Sequence, residues 1–110
     1  MNTTIPFPIS DDEDILPLIN PIPGLVVEYL EENGLSKSAA AAALGIPASR
    51  LSELLSGKRR LSADMALRLD HCFGTTPEFW LNLQNDHDLR VAGKKLANEL
   101  AKLPMLVKAS

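Results

Sequence analysis

A chain of 110 residues allows one domain with short extensions, and with 45% apolar but only 5% aromatic residues its core must be mostly Leu, Ala, Val and Ile. The single cysteine, Cys72, excludes an internal disulfide and suits a reducing cytoplasm. No apolar run approaches the roughly 20 residues that span a bilayer and the start carries no basic leader, so a soluble cytoplasmic protein with no membrane partner is expected.

The net charge of −3 is unevenly distributed. Residues 1–35 hold Asp11, Asp12, Glu13, Asp14, Glu28, Glu31 and Glu32 and no Lys or Arg. Residues 36–60 hold Lys37, Arg50, Lys58, Arg59 and Arg60 against Glu53 alone, and the remainder balances. A polyanion responds to the local field, and the middle of this chain is basic.

Residues 1–23 predict an irregular, acidic, Pro-rich arm. Pro6, Pro8, Pro17, Pro21 and Pro23 each remove a backbone donor and fix φ, which opposes helix and central strand alike. Ile5, Phe7, Ile9, Ile15, Leu16, Leu18 and Ile19 are too apolar for an ordinary solvated tail. The arm therefore either folds back on its own domain or a second subunit, or docks on a separate protein.

From Gly24 the hydrophobic period is helical. Leu25, Val26, Tyr29 and Leu30 define a first helix stopping at Asn33-Gly34. Ser36 caps a second, Lys37 to Leu44, which Gly45 ends. A third starts near Pro47 or Ala48, turns Leu51, Leu54 and Leu55 inward, and stops at Gly57 before the basic loop Lys58-Arg59-Arg60. Ser62 caps a fourth with Met65, Ala66, Leu69, Cys72 and Phe73 inward, ending at Gly74.

The next start has two readings: a capping box of Thr75 with Glu78, or Thr76 as cap with Pro77 in the first turn. The fifth helix carries Phe79, Trp80, Leu83 and Leu89 as contacts, with Trp80 either core or dimer interface. Gly93 weakens it, and Leu96, Leu100 and Leu103 mark a further helical stretch before Pro104. Five short helices and no strand make the domain all-α, spanning residues 24–92, with a C-terminal helical extension over 93–110.

Lys37 to Ser56 meets the demands of a helix-turn-helix. Ala41 is small where the helices touch, Gly45 tolerates positive φ in the turn, Ile46 plugs the core, and Leu51 and Leu54 anchor the second helix from beneath. That leaves Ala48, Ser49, Arg50, Ser52 and Glu53 on the outer face, where a recognition helix enters the major groove. Arg50 is the candidate for a bidentate guanine contact, Ser49 and Ser52 for a base edge or phosphate, and Ala48 for a thymine methyl. Glu53 accepts from a cytosine amine, pairs with Arg50 or Lys58, or lies outside the groove. Lys37, Lys58, Arg59 and Arg60 flank this face as phosphate contacts.

Enzyme chemistry has no foothold. His71 and His87 are far apart, and no Cys/His spacing matches zinc. No phosphate loop appears, Cys72 reads as a core thiol, and Asp86 and Asp88 read as solvent-facing. No catalytic, cofactor or metal site is expected.

Pro23-Gly24, Leu44-Gly45-Ile46 through Leu54 with Gly57-Lys58-Arg59, and above all the string from Gly74 to Gln84 resemble the HigA-type antitoxins of toxin–antitoxin modules. These are XRE, or lambda-repressor-like, helix-turn-helix proteins. The resemblance covers Pro23 to about Ala92. Ile22 stands where His often precedes Pro-Gly, Lys37 where Gln is common, and Ala39 to Ala43 replace more varied side chains.

The resemblance implies a homodimer that binds an inverted-repeat operator in double-stranded DNA and represses its own operon. It also implies a small basic toxin partner of the RelE-like mRNA-cleaving class, with catalysis left to that partner. The arm is the segment expected to engage the toxin, and helix five with the segment after Gly93 to pair the subunits. The alternatives are a stand-alone XRE-type repressor without a toxin, and a protein that neutralises a partner without binding DNA.

Overall fold

The computed structural model describes residues 19–107; expectations for the arm up to Leu18 lie outside them. Five α-helices follow one another: α1 Pro21–Glu32, α2 Lys37–Leu44, α3 Ala48–Leu55, α4 Ala63–Phe73 and α5 Pro77–Lys102. No strand occurs among the described residues, so the fold is all-α. Helix α5 packs on α4 and α1, α3 on α2 and α1, and α4 on α2.

Helix α1 begins three residues earlier than expected. Asn20 is its N-cap, its side chain accepting from the Ile22 amide at 3.1 Å. Pro21 and Pro23 fall in the first turn, where a missing N–H leaves nothing unsatisfied because those amides have no intrahelical partner anyway. Prolines that forbid a helix interior are compatible with a helix start. The early start brings Ile22 into the core with no exposed surface.

The other starts follow the local capping chemistry. Ser36 accepts from the Ala39 amide, Ser62 from Met65 and Thr76 from Phe79. Thr76 is therefore the cap of α5, with Pro77 in its first turn. Thr75 does something else: its Oγ1 accepts from Trp80 Nε1 at 2.6 Å.

Helix α5 runs unbroken through Gly93, so the expected boundary between domain and extension falls inside one helix. A glycine in a helix interior costs only about 1 kcal/mol relative to alanine, too little to break 26 residues of continuous helix. Its outer half leaves the body of the protein: Leu89, Leu96 and Leu100 are exposed, as is Leu103 at its C-cap.

The core takes Val26 and Leu30 from α1, Ala40, Ala41 and Leu44 from α2, and Leu51 and Leu54 from α3. Ile46 and Leu61 enter from the turns, Met65, Ala66 and Leu69 from α4, and Trp80 from α5. Leu25, Tyr29, Leu55, Phe73 and Leu83 pack at its margin. Trp80 is wholly buried, which makes it a core residue and not an interface one. Its ring meets Phe79 edge-on at 5.1 Å and Tyr29 at 5.9 Å, while Tyr29 stacks on Phe73 at 5.0 Å. These separations favour attraction between ring edges and offset faces.

Three residues expected among the contacts or the inner faces are exposed. Phe79 and Leu89 are exposed, because Trp80 and Gln84 take the buried line of α5. Cys72 is also exposed; its thiol donates to the Ala43 carbonyl at 3.4 Å, at the rim of α4 beside the line that buries Met65 and Leu69.

Candidate nucleic-acid interface

The sharp corner between α2 and α3 is built by backbone geometry. Gly45 adopts φ +70, and its amide and that of Ile46 return to the Ala42 and Ala41 carbonyls at 3.1 and 3.0 Å. This closes the end of α2 and drives Ile46 into the core. Pro47 then starts α3, its carbonyl accepting from the Arg50 and Leu51 amides.

A Cβ at Gly45 would lie 3.1 Å from Arg68 Nη1 in addition to the left-handed backbone. Gly45→Ala is therefore expected to cost about 1–2 kcal/mol, read as a lower urea midpoint with an unchanged slope. An unaffected midpoint would show that the corner relaxes to ordinary φ.

Leu51 and Leu54 are buried beneath α3, while Ala48, Ser49 and Ser52 are exposed on its other side. Three of the five outer-face residues expected from the sequence are thus exposed, and all three are small. Lys37 is exposed at the start of α2, and Lys58, Arg59 and Arg60 are exposed beyond α3. The three arginines among the nine expected residues are not free forks, since each faces a carboxylate.

Arg50 turns sideways. Its Nη2 donates to Asp64 Oδ1 on α4 at 3.1 Å, and its Nε is buried without an acceptor. Glu53 pairs with neither Arg50 nor Lys58 through its carboxylate: Arg59 binds that group at 2.9 Å, while the Lys58 and Arg59 amides both donate to its backbone carbonyl. The basic loop is therefore folded back on the end of α3. Arg60 binds Asp88 on α5 through Nη2 at 2.6 Å. Asp86 and Asp88 are not merely solvated, since Asp86 holds Arg90 one turn on.

Two supports had no signal in the sequence. Arg68 donates through Nη1 to the Leu44 and Gly45 carbonyls at 2.8 and 3.2 Å, and through Nε to Asp64 at 2.6 Å. It fastens the turn to α4 and to Arg50's partner. The hydrogen bond from Arg68, and then that from Arg50, outweigh burial and hold the Asp64 carboxyl below its ordinary pKa.

Gln84, buried in α5, accepts from the Leu61 amide at 2.7 Å and donates to Asp88 at 2.8 Å. Burial pushes the Asp88 carboxyl up, but the hydrogen bonds from Arg60 and Gln84 more than offset it, and its pKa lies below the ordinary value. The chain from Arg60 through Asp88 and Gln84 to Leu61 thereby fixes the basic loop against α5.

A short helix closed by a glycine corner, followed by a second helix buried on one side and polar on the other, defines a helix-turn-helix protein. A helix-turn-helix family model matches residues 26–80, which runs from α1 to Trp80. Virulence-associated protein I of Dichelobacter nodosus is 43% identical over 77 residues, 70% of this chain and 71% of that protein. A HigA-family addiction-module antidote protein of Coxiella burnetii superposes with TM-score 0.73 at 40% identity, over 81% of this chain and 97% of that one. Antitoxin HigA of Pseudomonas aeruginosa, solved with the higBA promoter, gives TM-score 0.73 at 33% identity, over 81% of this chain and 98% of that one.

The chain belongs to the XRE-type helix-turn-helix family, and the HigA-type resemblance seen in its sequence is matched by these relatives. This is a family of DNA-binding regulators and antitoxins, not an enzyme class. No helix among the described residues is long and apolar enough to cross a membrane.

Proposed function

We propose that this protein is an antitoxin that binds an inverted-repeat operator with α3, represses its own operon as a homodimer, and neutralises a cognate basic toxin of the RelE-like mRNA-cleaving class. The observation that carries the reading is the exposed face of Ala48, Ser49 and Ser52, set on a buried Leu51–Leu54 base, with Lys37, Lys58, Arg59 and Arg60 exposed on the elements before and after it. Ala48 meets a thymine methyl, and the two serines bond base edges or phosphates. The rim cations neutralise phosphates, with Glu53 and Asp88 holding Arg59 and Arg60 in place. A promoter complex of the HigA relative supports the same use of the fold.

The homodimer reading is supported by Leu89, Leu96 and Leu100, spaced seven and four residues apart along one side of α5, and by Leu103 at its C-cap, all between 42% and 63% exposed. Such spacing suits pairing of two helices. A two-fold dimer sets its recognition helices about 34–36 Å apart, one turn of DNA.

The test is Ser49→Glu with Ser52→Glu, in a gel shift on the region upstream of the protein's own gene. The pair faces solvent, so the thermal midpoint should hold while affinity falls by about 1–3 kcal/mol per lost contact. Undiminished affinity would end the DNA-reading proposal. Co-expression with the product of the adjacent gene separates an antitoxin, which co-purifies with it, from a stand-alone repressor, which does not.

A further inference from the structure

Arg50 is the longest donor on α3 and, by type, the residue best suited to grip a guanine. The structure aims it elsewhere. A guanidinium fork has two edges that hold guanine O6 and N7 together: Nε with Nη2, and Nη1 with Nη2. The first edge is closed, because Nε is buried. The second shares its Nη2 with Asp64, 3.1 Å away. The side chain as a whole is only 26% exposed, whereas its neighbours Ser49 and Ser52 are open to solvent.

Asp64 is itself held. The same Oδ1 accepts from Arg68 Nε at 2.6 Å, and Arg68 is fixed by the carbonyls of Leu44 and Gly45. A chain of contacts thus runs from the turn through Arg68 and Asp64 to Arg50. The carboxylate cannot swing away without releasing Arg68, and Arg50 cannot reach outward without abandoning a carboxylate for DNA.

We propose that Asp64 is a specificity-determining positioning residue: by holding Arg50 against α4 it withdraws the guanidinium from the groove and leaves base reading to Ala48, Ser49 and Ser52. The proposal rests on α3 being the DNA-facing helix and assigns which of its side chains read. Arg50 then braces α3 on α4 and contributes little to operator choice. Removing the Asp64 charge frees a cation beside the recognition face, which gains a contact to any duplex, since phosphate is available everywhere and guanine only in places.

The experiment is a four-protein cycle: the full chain, Asp64→Asn, Arg50→Met and the double variant. Methionine keeps an apolar stem in place of the arginine chain, and thermal midpoints verify that all four are folded. Each is titrated by fluorescence anisotropy against a duplex from upstream of its own gene and a scrambled duplex of equal length, at several salt concentrations.

The full chain should prefer its own upstream duplex, and Arg50→Met should shift neither affinity more than roughly twofold. Asp64→Asn should tighten both duplexes roughly tenfold, narrow the preference, and steepen the salt dependence by about one phosphate contact per subunit. Adding Arg50→Met to Asp64→Asn should abolish that gain. A tenfold loss of preference in Arg50→Met alone would overturn the proposal by showing that Arg50 reads bases. So would a gain that survives in the double variant, because the carboxylate would then act through its field and not through Arg50. A full chain that binds neither duplex would instead remove the DNA-binding reading itself.

Discussion

Trp80→Ala is expected to cost about 3–5 kcal/mol, a large share of the roughly 5–15 kcal/mol that holds a typical domain folded. Trp80 is the largest fully buried side chain and lies where α5 meets α1 and α4. Truncation would empty the space its ring occupies, strip the edge contact from Phe79 and the tilted contact from Tyr29, and free Thr75 from its bond to Nε1. Three helices lose a common anchor at once, so the cavity has little means of collapsing.

Trp80→Phe keeps a ring and should cost less, while Thr75→Val isolates the buried N–H at about 1–3 kcal/mol. Urea unfolding followed by circular dichroism ranks the three. A loss below about 1 kcal/mol for Trp80→Ala is not compatible with a fully buried indole. A loss that grew on dilution would place the ring between subunits instead.

What the sequence disclosed and what it withheld divide along a physical line. Three helix ends are legible from a cap that neighbours them in the chain: Ser36 three residues from Ala39, Ser62 three from Met65, and Gly45 at the very corner it forms. The outer face of α3 was legible for the same reason, since Leu51 and Leu54 fix which side of a short helix is down. The start of α1 is hidden by its prolines, which oppose a helix interior but in a first turn break nothing. The continuity of α5 is hidden by Gly93, whose small cost is carried by the helix on either side of it.

The ion pairs are different in kind. Arg50 reaches Asp64 fourteen positions away, and Arg60 reaches Asp88 across twenty-eight. Such pairs depend on how α3, α4 and α5 cross, and no periodicity along one helix encodes a crossing. Counting the basic residues between Lys37 and Arg60 located the patch. It could not reveal that Arg50, Arg59 and Arg60 are each already facing a carboxylate.

The same limit hid Gln84, and there the chemistry forces a sharp result. The Leu61 amide is a donor and demands an oxygen; the Asp88 carboxylate is an acceptor and demands an N–H. One primary amide meets both needs, at 2.7 and 2.8 Å. Gln84→Leu deprives the buried amide of its acceptor and should cost about 1–3 kcal/mol by nearly the same amount at every pH where Asp88 is ionised. Gln84→Glu keeps an oxygen for Leu61 but turns a second carboxylate towards Asp88, and at pH 7 should cost on the order of 3 kcal/mol or more.

The sign of the pH dependence separates the two variants. In the native protein Asp88 titrates below its ordinary pKa, so its contribution is present above about pH 3.9 and is lost as pH falls through the lowered folded value. In Gln84→Glu the introduced carboxyl is buried against a like charge, which raises its folded pKa above the usual value of about 4.3. Its neutral form can donate to Asp88 as the amide did, so that contribution is fully present below about pH 4.3 and lost as pH rises through the raised value. The stability gap between Gln84→Glu and the native chain should therefore narrow as pH drops from 7 towards 4.5, whereas the gap for Gln84→Leu stays level. Denaturant titrations across that range measure both; parallel curves for the glutamate variant would mean that position 84 does not bridge Leu61 to Asp88.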